Sequence, residues 1–197
     1  MKKTITILAL SLAGTLANQV HANEFAGPYV GVEAGYESYP DDLDGATLGA
    51  VAGYNLSLGD VLLGIEARYA KPFAEQTTVT DLGQRTATSH VDLNHQLGAS
   101  LRLGYRASER VALFASVGGE RFDVDAARTV RPKPGCSPAA QCTTTTTDFS
   151  FNEEMLVAGA DVEWRFADNM RVRAGYRYSD GDAFHRNSGS VALILAF

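Results

Sequence analysis

The chain has 197 residues, of which 17 are Lys or Arg and 23 are Asp or Glu, so its formal net charge is −6. This acidic balance argues against the basic surface by which proteins bind nucleic acid, and we expect no nucleic-acid partner. Beyond the first 22 residues no run of about 18 apolar residues occurs, so we expect no helix to cross a membrane.

The chain begins with a segment typical of a secretory signal peptide. In MKKTITILALSLAGTLANQVHA, two lysines precede a short apolar run, which is followed by small residues. We predict a signal peptide over residues 1–22, cleavage before Asn23 and one exported domain over residues 23–197. Export leaves three destinations for the mature chain, which are the extracellular medium, the periplasm and the outer membrane.

From Pro28 onward the sequence alternates in eight runs that suit β-strands, because side chains on a strand point to its two faces in turn. The runs cover residues 28–37, 46–58, 61–70, 90–106, 110–122, 153–166, 170–179 and 188–197. Tight turns follow the second, fourth and sixth runs, whereas longer connections follow the odd-numbered runs. Short turns at one end, long loops at the other and an even number of strands predict an all-β fold, an eight-stranded antiparallel up-and-down β-barrel.

The two faces of the runs differ in side-chain size, and this difference decides which face lies inside. One face carries bulky apolar residues, including Leu97, Leu101 and Leu103, and the other carries glycines interleaved with charges. A soluble barrel would have the apolar face inside, but that bulk would crowd an eight-stranded interior. Glycines instead leave room for long neighbouring side chains in a narrow lumen, so we predict that the glycine and charge face is inside.

Aromatic residues provide a second indication of the same orientation, because they fall at the ends of the runs. At the short-turn ends these are Tyr54, Tyr105, Trp164, Phe166 and Phe197; at the long-loop ends they are Tyr36, Tyr69, Tyr176 and Tyr178. Two such rings are typical of a barrel whose outer wall meets both interfaces of a bilayer.

The predicted inner face carries seven acidic and seven basic residues. They are Glu33, Glu37, Glu66, Asp92, Glu120, Asp161 and Glu163, with Arg68, Arg102, Arg106, Arg165, Arg171, Arg173 and Arg177. With Phe166 and Met170 closing their turn, Glu163 lies opposite Arg173, close enough for a bidentate contact. Because unpaired buried charge is costly, we expect a connected network that plugs the lumen. The alternatives are a narrow pore and a catalytic or transport site.

The only two cysteines, Cys136 and Cys142, lie close together in GCSPAAQC within the long third loop. In an exported protein this spacing favours a local disulfide, and two thiols without a nearby histidine supply only half of a zinc site. Five threonines and several prolines near them predict an extended or irregular loop. Such a loop either presents a surface to a partner or is a tolerated insertion without a role of its own.

Two further groups of loop residues have alternative interpretations. Asp41, Asp42, Asp44, Asp180 and Asp182 could bind divalent cations, but they lack the ligand spacing of a calcium loop and fit solvated turns. His185 and Ser188, with Asp182, are the nearest match to a lipase-type triad, while His95 fits an interfacial residue. We predict no catalytic residues, no metal site and no cofactor.

The signal peptide, the barrel pattern and the last run, SGSVALILAF, together resemble the small eight-stranded outer-membrane barrels of the outer membrane protein A and opacity type. The terminal Phe197 after Val191, Leu193 and Leu195 looks like the signal that barrel-assembly machinery recognises in its clients. The resemblance implies a bacterial outer-membrane location, with periplasmic termini, extracellular long loops, and contacts with outer-membrane lipid and lipopolysaccharide. It also implies a structural barrel whose loops bind host or cell-surface molecules. The alternatives are a purely structural envelope protein with dispensable loops and an enzyme that modifies lipid A.

Overall fold

The structure is a computed structural model, and it describes residues 24–40, 44–136, 142–182 and 184–197. The predicted signal peptide lies outside these ranges, as do Asp41 and Asp42 of the first loop. Within them, no helix has the length and apolar character that crossing a membrane requires.

The described residues form nine β-strands. They are β1 (Gly27–Ser38), β2 (Asp44–Leu58), β3 (Val61–Pro72), β4 (Glu75–Asp81), β5 (Arg85–Arg106), β6 (Val111–Pro132), β7 (Thr145–Ala167), β8 (Met170–Gly181) and β9 (His185–Ala196). Eight of them form a closed antiparallel ring in the order β3-β2-β1-β9-β8-β7-β6-β5, because β5 also pairs with β3. The predicted eight-stranded up-and-down barrel is therefore confirmed, with β4 as an additional strand.

The additional strand, β4, belongs to a sheet that extends beyond one end of the ring. β3 pairs with β5 as far as Ala70 opposite Gln96, and β4 pairs with the same strand beyond that point, from Glu75 opposite Asp92. We call the four-stranded unit formed by β4 and residues 85–95, 123–132 and 145–154 of β5, β6 and β7 the protruding sheet. Most of these residues lie outside the eight predicted runs, in the expected loops.

One bulge changes which face of β5 points inward. The β5–β6 register shifts between Leu93 and His95, so Asn94 is an extra residue in β5. Beyond a bulge the alternation of side chains changes phase. Leu93 is therefore buried inside, whereas Asp92 lies opposite the exposed Asp125 on the outer face. The prediction that Asp92 faces the lumen is wrong for this reason.

The tight turns fix the register of the hairpins. Leu58 pairs with Val61, and Gly59 between them has a φ of 73°, a left-handed conformation that glycine adopts without strain. In the β7–β8 hairpin, Ala167 rather than Phe166 pairs with Met170, because a bulge lies between Arg165 and Ala167. The predicted pairing of Glu163 with Arg173 is nevertheless present.

The faces of the ring follow the predicted assignment. The bulky apolar residues are exposed on the outer wall, as Leu101 illustrates with 64% of its surface accessible, and the charged residues are buried inside. Glycines make that interior possible, since a Cβ on Gly53 would collide with the ring of Tyr29 and one on Gly175 with the carboxylate of Asp161. Inside, a long polar side chain from one strand occupies the space that a glycine leaves on the next.

Candidate functional site

The buried charges of the lumen form two clusters, each with three carboxylates and three arginines. The turn-side cluster contains Glu66, Asp161 and Glu163 with Arg102, Arg171 and Arg173. The loop-side cluster contains Glu33, Glu37 and Glu120 with Arg68, Arg177 and Arg186. No ion pair between described residues joins the two clusters, so the expected single network is divided.

Glu163 is the centre of the turn-side cluster. Its Oε1 lies 2.8 Å from Arg102 Nη2 and 2.9 Å from Arg173 Nη2, and its Oε2 lies 3.0 Å from Arg171 Nη1. Arg173 continues to Glu66, 2.6 Å away, and the same carboxylate accepts a hydrogen bond of 2.7 Å from the hydroxyl of Tyr29. Three arginines thus contact the fully buried Glu163 carboxylate, and the Glu66 carboxylate balances part of their positive charge.

The loop-side cluster is built around Arg68 and Arg186. Arg68 donates to Glu33 and Glu120, each at 2.7 Å, and Arg177 contacts Glu33 at 2.8 Å. Arg186 contacts Glu37 at 2.6 Å and Glu120 at 2.5 Å. Because each of the two central arginines bridges carboxylates on different strands, the cluster ties opposite walls of the barrel together.

All ten residues that the sequence singled out for the lumen lie inside and are buried: Glu33, Glu66, Arg68, Arg102, Glu120, Asp161, Glu163, Arg171, Arg173 and Arg177. Asp161 is the most weakly held, since its nearest cation is Arg102 at 3.6 Å and its Oδ1 has no hydrogen-bond partner among the described residues. Two other predicted members lie at the turn end, where Arg106 pairs with Asp60 at 2.6 Å and Arg165 pairs with Glu24.

Arg186, one of the most buried side chains among the described residues, is absent from the lumen set predicted from sequence. Residues 180–187 were expected to form a loop, whereas β9 begins at His185. The sequence pattern could have identified Arg186, because it lies two residues before the inward-facing Ser188 and therefore on the same face of a strand. Extending the last run toward the N-terminus by two residues would have placed it in the lumen. Gln96, whose side-chain oxygen accepts a hydrogen bond of 2.7 Å from Arg68, lies within the fourth predicted run but was not singled out, because only charged residues of the inner face were named.

Apolar layers cover the charges at both ends of the lumen. At the turn end, Phe25 is fully buried with Leu62 and Phe114, and its carbonyl accepts a hydrogen bond of 3.0 Å from Asn55 Nδ2. At the loop end, the rings of Tyr39, Phe122 and Phe184 contact one another, with centroids 5.7 to 6.5 Å apart. Burial and the neighbouring Glu37 carboxylate raise the pKa of Tyr39 above its ordinary value, so its hydroxyl stays a donor to that carboxylate.

The residues nearest to a lipase-type triad do not come together. Ser188 is buried in the lumen, whereas His185 is exposed on the opposite face of β9, since the two differ in parity along one strand. His95 faces outward, as expected of an interfacial residue, and lies 3.3 Å from Asp123, whereas the bulge turns the nearby Val91 and Leu93 inward. Among the described residues, no group of three or more His, Cys, Asp or Glu is arranged to hold a metal ion.

The protruding sheet has two different faces and a covalently closed tip. Its outer face carries Asp92, Asp125 and Asp148 around a shallow depression, while its other face exposes aromatic rings. Lys133 joins the two hairpins by an ion pair of 2.6 Å with Asp81, and its hydrogen bond lowers the pKa of Asp81. Beyond Lys133 the predicted disulfide between Cys136 and Cys142 is present.

Comparisons with known proteins agree with this architecture. The family model described as "Outer membrane protein beta-barrel domain" matches residues 6–194. Among solved structures, Ail, the attachment invasion locus protein of Yersinia pestis, is 13% identical over 87% of this chain and 97% of its own, with a TM-score of 0.52. Neisserial surface protein A is 14% identical over 87% of this chain and 98% of its own, with a TM-score of 0.50.

The N-terminal β-barrel domain of Pseudomonas aeruginosa OprF is 15% identical over 87% of this chain and 99% of its own, with a TM-score of 0.49. At such low identities the similarity to Ail and to Neisserial surface protein A shows the fold alone. No curated protein sequence matches the chain significantly.

Proposed function

Because the chain belongs to the outer membrane protein β-barrel family, we propose that it is a non-enzymatic barrel that supports the envelope and presents its protruding sheet and loops to molecules outside the cell. The termini are periplasmic and the long loops extracellular. Function then lies on the surface that the rigid ring displays, as is common for loops on a stable scaffold.

The observation that carries this proposal is the pairing of the lumen charges. Six carboxylates and six arginines are buried there with matched partners, and apolar side chains cover both ends. A lumen filled in this way acts as a plug, because displacing any one charge leaves the buried ions around it with one partner fewer. A closed lumen leaves the protruding sheet and the loops as the parts able to bind partners.

The outer wall fits outer-membrane lipid and lipopolysaccharide as its surroundings. Apolar residues cover the middle of the wall, and the exposed rings of Trp164 and Phe166 at one rim and Tyr69 and Tyr176 at the other suit the two interfaces. Phe197, which follows β9 and donates its backbone N–H to the Pro28 carbonyl at 3.0 Å, is the proposed signal for the barrel-assembly machinery.

Partners outside the cell are the remaining part of the proposal. Ail is named the attachment invasion locus protein, and the present chain has a similar β-barrel fold. The protruding sheet supplies a rigid surface in this chain, since four strands, an ion pair between hairpins and a disulfide at the tip hold it. We therefore expect host-cell or neighbouring-cell molecules to bind there.

The test compares bacteria that carry the intact protein with bacteria in which two segments are replaced by short turns at the rim of the ring: the one between β3 and the ring part of β5, and the one between the ring parts of β6 and β7. Equal amounts of folded barrel in the outer membrane are confirmed first. We expect binding to cultured cells and serum proteins to fall to the level of bacteria without the protein. Unchanged binding after trimming would contradict the proposed role of the protruding sheet.

A further inference from the structure

A short segment ahead of β1 turns back into the lumen at its turn end. Phe25 is fully buried there, whereas Glu24 is exposed and pairs with Arg165. β1 begins at Gly27, whose φ of 99° lies in the region that favours glycine and redirects the chain from the strand into the lumen. We call residues 24–26 the latch.

The latch fills a pocket whose walls come from five strands of the ring. The pocket residues lie on β2, β3, β6, β7 and β8, and they are Asn55, Leu62, Ala112, Phe114, Arg165 and Arg171. We call them the turn-end pocket. The Phe25 carbonyl accepts hydrogen bonds from Asn55 Nδ2 at 3.0 Å and Arg171 Nη1 at 3.4 Å. Because the walls belong to strands from both halves of the sequence, the pocket is complete only after the ring has closed.

Closing the latch has a cost that opposes the gain from burying Phe25. Asn55 Oδ1 and the Nε and Nη2 atoms of Arg171 are buried, and they have no hydrogen-bond partner among the described residues. Such atoms are costly to bury, and water pairs with them once the latch leaves. Burial of the Phe25 ring and its position 5.4 Å from the Arg171 guanidinium carbon favour the closed state. Opposing contributions of this kind are expected of a segment that exchanges between two states.

We propose that residues 24–26 act as a reversible latch at the turn end of the lumen. Once the ring has closed, Phe25 enters the turn-end pocket and shields the turn-side cluster from water. Rotation at Gly27 releases it again and admits water to Arg171. Both charge clusters stay in place in the released state, so the lumen remains closed to ions. The latch lies at the end of the ring opposite to the protruding sheet, and its action does not depend on the partners proposed for that sheet.

The first test adds one thiol behind the latch, Ala112→Cys, to the full-length mature protein in phospholipid vesicles. Ala112 is fully buried beside Phe25, and the native cysteines are joined in a disulfide, so N-ethylmaleimide reacts with the added thiol alone. Ala70→Cys is the control, since Ala70 is fully buried on β3 near the loop end. We expect the thiol at position 112 to react at least about tenfold faster, because the latch opens without unfolding of the ring. Equal rates would overturn the proposal.

Removing the Phe25 ring tests whether the latch is what covers the thiol. In the Ala112→Cys protein, Phe25→Ala should accelerate the reaction at least about tenfold, because the pocket loses its apolar occupant. In the Ala70→Cys protein the same substitution should change the rate by less than about twofold. Acceleration at both positions would mean that Phe25 is an ordinary core side chain whose loss loosens the whole ring, and it would overturn the proposal.

Gly27→Ala tests the hinge while it keeps the Phe25 side chain. A Cβ strains the positive φ of the closed latch, so we expect the thiol at position 112 to react about tenfold faster. Gly59→Ala is the matched control, because Gly59 also has a positive φ, 73°, and lies in a turn at the same end of the ring outside the latch. That variant should stay within about twofold of the Ala112→Cys protein. Equal rates for the two variants would contradict the hinge.

Side-chain hydrogen exchange of the unmodified protein provides a readout that does not depend on any variant folding. Arg173 donates its Nε–H to Glu163 at 3.1 Å deeper in the turn-side cluster, whereas Arg171 lies directly behind Phe25. We expect the Nε–H of Arg171 to exchange with water at least about tenfold faster than that of Arg173, measured by NMR. Equal exchange at the two arginines would overturn the proposal, since the latch would then not control access of water.

Discussion

Arginine side chains hold the lumen together by contacting several carboxylates at once. Arg173, which is 1% exposed, contacts both Glu163 and Glu66, and Arg186, which is fully buried, contacts both Glu37 and Glu120. A planar guanidinium has donors in several directions, which a lysine ammonium lacks in fixed geometry. Single residues therefore join strands that are far apart in the sequence.

Replacing Arg173 tests this description of the lumen. Arg173→Ala leaves Glu66 and Glu163 with one fewer cation in a buried site, and we expect the free energy of unfolding to fall by roughly 3–5 kcal/mol. The measurement is urea-induced unfolding of the protein from lipid vesicles. Arg106→Ala is the control, since Arg106 pairs with Asp60 at a solvent-accessible turn, and we expect a loss below about 1 kcal/mol. Equal losses for the two variants would show that burial does not govern these pairs.

The strands of the ring could be predicted from the sequence, whereas most of the protruding sheet could not. The difference lies in how strongly apolar and polar residues alternate. Within the ring, apolar and small or charged residues alternate because one side faces an apolar exterior and the other a narrow lumen. In the protruding sheet only part of the inner face is buried, and many positions, such as Thr86, Thr88 and Thr146, are polar, so the hydrophobic alternation is weaker than in the ring. The bulge at Asn94 has no sequence signature, and it alone misplaced Asp92.

Lysine substitutions on the two faces of β5 test the assignment of inside and outside. Leu101 is exposed on the outer wall, and the adjacent Ser100 faces the lumen opposite Glu66. We expect Leu101→Lys to cost about 2–4 kcal/mol, because it places a charge in the lipid midplane. Ser100→Lys should cost less, since carboxylates are near. Urea unfolding from vesicles measures both, and a larger cost for Ser100→Lys would reverse the assignment.

The disulfide at the tip of the β6–β7 connection acts on its own hairpin. Cys136 and Cys142 close a small loop beyond the protruding sheet, far from both charge clusters. Replacing both cysteines by serine should leave the unfolding midpoint of the barrel unchanged and accelerate amide exchange near Lys133 and Thr145, because the loop regains conformational freedom. Exchange that stays the same at the tip would mean that the hairpin is held without the disulfide.

For the whole molecule, the ring and the protruding sheet are two distinct parts of one architecture. The ring encloses charges that are equal in number within each cluster, with apolar side chains at both ends. The protruding sheet extends the longest strands, β5, β6 and β7, beyond the ring and carries the exposed surface. Sequence could predict the closed ring but not this division, since lengths of polar strands do not follow from apolar alternation.

Single-channel recording in a planar lipid bilayer is the most direct test of the central claim that the protein acts at its outer surface and not through its lumen. With the full-length mature protein inserted, we predict no steady open level, because every path through the barrel meets a charge cluster between two apolar layers. A steady conductance of the size that porins show would contradict the claim, since it would require a permanently hydrated lumen.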